Sequence, residues 1–67
     1  MITIYVNQKE VTLEPNTNLL QLLQNLNSPL EGIAVAIQDN IIPNSNWKTQ
    51  LFSNQDNVLI IQATQGG

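Results

Sequence analysis

The sequence predicts an α+β domain, one sheet of about five strands with one main helix packed on one face. Three observations predict it. Apolar residues alternate with polar ones over 2–6 and again over 11–14, the period-two pattern of a strand with one buried face. Only one segment, 18–27, carries leucines at helical three- and four-residue steps. Short clusters of Asn, Asp, Gln and Pro separate the remaining apolar runs, which is the punctuation of tight turns.

Ile2, Ile4 and Val6 alternate with Thr3 and Tyr5, so the chain opens on a strand. Asn7-Gln8-Lys9 then separates it from Val11 and Leu13, giving a hairpin of about three loop residues. Pro15 ends the second strand because it cannot donate to a ladder. Thr17 is placed to cap a helix over 18–27, with Leu19, Leu20, Leu23 and Leu26 on one face and Gln21, Gln24 and Asn25 on the other. That leucine stripe is expected to pack on the sheet. Ser28-Pro29 stops the helix, and Gly32 stands where the connector can need a positive φ.

Ile33 to Ile37 is an unbroken apolar run, a strand buried on one face with the small Ala34 and Ala36 on the other. Asp39-Asn40 signals a turn, Ile41-Ile42 a brief fourth strand, and Pro43 its end. Asn44-Ser45-Asn46 is a polar loop or a single helical turn leading to Trp47. Trp47, Leu51 and Phe52 are expected in the core, because so small a domain must bury its largest apolar side chains. After a turn at Gln55-Asp56-Asn57, residues 58–64 form the last strand. Val58 and Ile60 point one way, Leu59, Ile61 and Ala63 the other. One helix covers one face, so Leu59 and Ile61, with Ala34 and Ala36, form either a docking patch or the second side of a central strand.

Composition narrows the function. At 67 residues the chain is a single domain, whose core supplies only roughly 3 to 5 kcal/mol. With no Cys and no His, it lacks disulfides, a thiolate nucleophile and the commonest general base and metal ligand. A self-contained enzyme is therefore disfavoured. A hydrophobic content of 42% and a mean hydropathy of −0.08 suit a folded domain despite the heavy Asn and Gln usage. Two lysines, Lys9 and Lys48, stand against five scattered acidic residues, Glu10, Glu14, Glu31, Asp39 and Asp56, which disfavours nucleic-acid binding. No apolar run approaches the roughly 18 residues of a membrane span, and the N-terminus has no basic leader region. The reading is a cytoplasmic protein, or a stromal one if plastid-encoded.

The last two residues are Gly66-Gly67. Without Cβ atoms such a tail can thread a slot too narrow for any side chain and present a free carboxylate for activation. A frayed terminus is the competing reading.

Strand, strand, helix, strand, strand, strand, running into Gly-Gly, resembles the β-grasp fold of ubiquitin-like proteins, in which one helix packs across one face of a mixed sheet. The local sequence resembles the sulfur carrier protein ThiS family over essentially the whole chain. The most specific match is Val35-Ala36-Ile37-Gln38, Ile41-Ile42-Pro43, Trp47, Val58-Leu59-Ile60-Ile61-Gln62 and Gly66-Gly67. Three positions depart from the family pattern: Gln38 replaces the usual Asn, Asn44 the usual Arg, and Gln55-Asp56 the usual Gly-Asp. The last places the strained turn conformation at Asn54 or Asn57. The related molybdopterin-synthase small subunit carries an aromatic-Pro-Pro stretch before its tail, where this chain reads Ile61-Gln62-Ala63-Thr64-Gln65.

The resemblance implies a carrier acted on by other enzymes. A ThiF-type adenylyltransferase, using ATP and Mg, would adenylate Gly67. Sulfur passed from a cysteine desulfurase or another donor would convert the adenylate into a thiocarboxylate, and a ThiG-type thiazole synthase would take the sulfur into the thiazole of thiamin. Gly66 and Gln65 would lead the tail into the partner, Leu59 and Ile61 would dock, and the chain would bind no cofactor or metal itself. Delivery of sulfur to molybdopterin, tRNA or an amino acid, and a role as a protein modifier, are the alternatives.

Overall fold

The computed structural model describes residues 1–62. Five strands, β1 (Ile2–Val6), β2 (Lys9–Leu13), β3 (Ile33–Ile37), β4 (Asn40–Ile42) and β5 (Asn57–Gln62), form one sheet, and α1 (Leu19–Asn25) lies between β2 and β3 in the chain. The sheet order is β2-β1-β5-β3-β4. β1 and β5 run parallel at its centre while every other pair is antiparallel, the mixed sheet and single helix of a β-grasp domain.

Two tight turns set the register. The loop after β1 is two residues, Asn7 and Gln8, at φ 49° and 72°, and Val6 pairs directly with Lys9. The loop after β3 is again two residues, Gln38 and Asp39, at φ 51° and 68°, with Ile37 paired to Asn40. Positive φ at both central positions marks the turn whose twist matches the strands it joins. Each turn is thus one position tighter or earlier than the polar clusters suggest. Neither uses Gly, which is why the Asn-Gly signature of such turns is absent.

The helix begins one residue later than its first polar neighbour suggests. Asn18, not Thr17, is the N-cap: its Oδ1 accepts the Gln21 N–H at 2.8 Å while Gln21 Oε1 accepts the Asn18 N–H at 3.0 Å, a reciprocal capping box. The two preceding orphan donors are also met, Leu19 N–H by Gln50 O at 2.8 Å and Leu20 N–H by Trp47 O at 3.1 Å. The helix ends at Asn25 because Asn27 turns left-handed at φ 56°. There Asn27 N–H bonds Gln24 O and Ser28 N–H bonds Leu23 O, the paired bonds of a Schellman ending. Leu19, Leu22 and Leu23 therefore bury, whereas Leu26, stranded on the cap, is exposed.

The core lies between helix and sheet. Ile4, Leu19, Leu23 and Val35 are completely enclosed, and Trp47, Phe52 and Val58 close around them. Trp47 satisfies its indole by donating Nε1–H to Ile42 O at 3.1 Å. Asn44–Asn46 form one 3₁₀ turn that delivers it. Leu51, expected beside Phe52, is instead half exposed, because the chain there is irregular and only one of two neighbouring side chains can point inward. Gly32 has the anticipated positive φ, 74°. The strained residue before β5 is Gln55, at φ 70°, and neither Asn54 nor Asn57. Asn54 instead accepts the Thr3 N–H on its side chain at 2.9 Å.

Candidate functional site

The helix-free face of the sheet carries the candidate site. Directly paired residues share a face, and Ala36 pairs with Leu59, Ala34 with Ile61, and Ala36 with Ile41. Across β4, β3 and β5 this places Ile41, Ala36 and Leu59 in one row, with Ala34 and Ile61 in the next toward the end of β5. Leu59 is 49% exposed and Ile61 46%, while Val58, on the opposite face of the same strand, is 3%. Of the two readings of β5, the open apolar face is the one observed. Ile41, 63% exposed, extends the strip. The brief strand it belongs to was visible in the sequence, but its pairing depended on the exact turn before it.

Beyond Val6 the β1 backbone turns away and β5 continues alone on that side, yet its next peptide is held. Ile60 N–H donates to Asn7 Oδ1 at 2.8 Å, and Asn7 Nδ2–H reaches back to Ile60 O at 3.4 Å. The side-chain amide of a turn residue thus extends the ladder by one more step. On the other side β5 is paired with β3 as far as Gln62. Both devices anchor the strand that leads toward the C-terminal glycines. Gln65, Gly66 and Gly67, and the end of the predicted strand beyond Gln62, lie outside the described residues.

Across the first half of β5, on the same face, is a concavity of about 290 Å³, lined by Tyr5, Ala36, Gln38, Asp39 and Leu59 among others. That is at the bottom of the range of small-molecule sites, about 300 to 1,000 Å³, so it suits a single side chain better than a cofactor. Gln38 is held at its edge because its Oε1 accepts the Asn57 N–H at 3.1 Å. Among the described residues no three His, Cys, Asp or Glu side chains are grouped as metal ligands. No helix among them is long and apolar enough to cross a membrane.

A one-helix mixed sheet of this topology, with its second face left apolar and open, defines a β-grasp domain of the ubiquitin-like class. The sequence matches the ThiS family over residues 2–67, and the chain belongs to that family. The crystal structure of a thiamine biosynthesis protein, ThiS, from Geobacter metallireducens is similar to this chain, with a TM-score of 0.84 and 20% sequence identity. The likeness covers 98% of this chain and 100% of that one, and at that identity it speaks to the fold. No curated protein sequence matches the chain.

Proposed function

We propose that this protein is a cytoplasmic sulfur carrier of thiamin biosynthesis, a co-substrate and not an enzyme. The observation that carries the reading is the ThiS family match, which runs through Gly66-Gly67. In this reading the Gly67 carboxylate attacks the α-phosphate of Mg-ATP on a ThiF-type adenylyltransferase and pyrophosphate leaves. A carboxylate is a poor electrophile, and AMP is a far better leaving group than hydroxide. The outer sulfur of a persulfide, supplied by a cysteine desulfurase or another donor, then attacks the acyl carbon and AMP leaves; a second thiol cleaves the resulting acyl disulfide, itself ending as a disulfide, and a thiocarboxylate remains. A ThiG-type thiazole synthase accepts that sulfur and regenerates the carboxylate.

The division of labour suits the chain's chemistry. It has no Cys or His of its own, so the nucleophiles, bases and metal belong to the partners, and no internal thiol competes for the activated acyl group. Gly66 and Gln65 form the slim lead-in, and the exposed strip at Leu59 and Ile61 gives the partners an apolar hold on the strand that aims the tail.

Appending one alanine after Gly67 tests the assignment. The carrier reading expects the extended protein to bind the adenylyltransferase and to fail in ATP–pyrophosphate exchange, because the reacting carboxylate is displaced by one residue. Exchange at the unextended rate would overturn it.

A further inference from the structure

Both lysines of this small domain lie on the helix side of its sheet. Lys9 pairs with Val6, whose side chain is in the core under the helix, so Lys9 belongs to the helix side. Lys48 is there too, beside Leu20 and Trp47. The helix-free face holds no lysine among the described residues. It holds Glu10, paired directly with Tyr5, and Asp39, which lines the concavity with Tyr5, Ala36 and Leu59.

Two hairpin turns rim the concavity. Asn7 and Gln8 follow β1, Gln38 and Asp39 follow β3, and the two turns flank β5 on opposite sides, pointing opposite ways along it. The result is a walled recess with an aromatic ring, an apolar floor and one carboxylate, and with no cation among its described lining residues.

We infer that this recess, built by Tyr5, Ala36, Gln38, Asp39 and Leu59, is the receptor for an arginine side chain of the partner protein that docks on the helix-free face. A guanidinium fits each feature. Its plane can lie on an aromatic ring, its fork matches a carboxylate, and its weak hydration lowers the cost of entering an apolar cleft. Lysine, a compact and strongly hydrated charge, suits the recess less well. Along β5 the recess spans Asn57 to Leu59, three to five residues before Gln62, about 10 to 17 Å at strand rise. A partner holding it also covers Leu59 and Ile61, and so grips the domain at the end away from its tail. The inference rests on the carrier reading, which supplies the adenylyltransferase as the partner.

The test is binding of the full chain to the cognate adenylyltransferase by calorimetry at low and high salt, with ATP–pyrophosphate exchange in parallel. Asp39→Asn keeps a residue tolerant of left-handed backbone, and Glu10→Lys sits on an edge strand that tolerates lysine. Asp39→Asn should weaken binding about threefold, and the double variant about tenfold or more. Both should have a shallower salt dependence than the unmodified protein and an unchanged exchange rate at saturation. Glu14→Gln, on the helix side, should bind as the unmodified protein does. Equal affinity and equal salt dependence for the double variant, or an equal loss from Glu14→Gln, would overturn the recess and leave the carrier intact. Failure of the enzyme to bind the unmodified protein would overturn both.

Discussion

Replacing Asn7 with glycine isolates the amide clamp on the last strand. Asn7 sits at φ 49°, so glycine keeps the turn and removes only the side chain. Of the two bonds lost, the one from Ile60 N–H, at 2.8 Å, has ordinary length and contributes about 1 kcal/mol. The return bond, at 3.4 Å, lies beyond the usual range and contributes little. Asn, unlike Gln, tolerates the left-handed region at little cost, so glycine relieves little strain here, and its added freedom in the unfolded chain costs about 0.5 to 1 kcal/mol more. The sum, about 1.5 to 2 kcal/mol, is a large share of the roughly 3 to 5 kcal/mol available to a domain of this size. At about 4 to 8 °C per kcal/mol the Tm should fall by about 6 to 16 °C. Far-UV circular dichroism melts read the Tm, and amide exchange should show Ile60 losing more protection than Ile4 in the core. Asn7→Asp keeps the acceptor and should lose less than half as much. A Tm within a degree of the unmodified protein, with Ile60 protection unchanged, would refute the clamp.

Gln55→Gly should stabilise: it relieves a left-handed residue costing about 1 to 2 kcal/mol against a glycine entropy cost of about 0.4 to 1, for a net Tm rise of about 4 °C. Asn18→Ala removes one half of the capping box and should cost about 1 kcal/mol in denaturant unfolding. Leu59→Thr, at a half-exposed strand position, should cost at most about 1 kcal/mol of stability. It should raise the KM of the adenylyltransferase for the carrier about tenfold with kcat held, the pattern of lost docking and not of lost chemistry.

Legibility in the sequence followed the length scale of the signal. Alternation over five residues placed β1, and the apolar run Ile33 to Ile37 placed β3 to the residue, because a one-residue slip would turn a whole apolar face to water. What was misjudged depends on one side chain winning a local competition. Thr17 and Asn18 are both good caps, and Asn18 wins because Gln21 stands three residues on to complete the box. The tight turns hid because they use Gln, Asn and Asp at positive φ where sequence rules look for Gly, and the same habit explains why Gln55 and not a neighbouring Asn takes the strain. Counting helices left the second face of β5 as either an open patch or central-strand core, and only the exposure of Leu59 and Ile61 decides it. Ile41 and the recess beside Tyr5 were hidden, since both require the register across several strands, and the recess also needs two turns distant in sequence to flank β5.

The central claim is a sulfur bound at Gly67. The direct measurement is the mass of the C-terminal fragment after incubating the purified protein with ATP, Mg, its cognate adenylyltransferase, a persulfide donor and a thiol reductant. The account predicts an oxygen-to-sulfur exchange confined to the fragment ending in Gly67 and absent without ATP, distinct from the similar mass gained by oxidation at Met1. An unaltered C-terminal fragment with an enzyme that demonstrably binds the protein would contradict it.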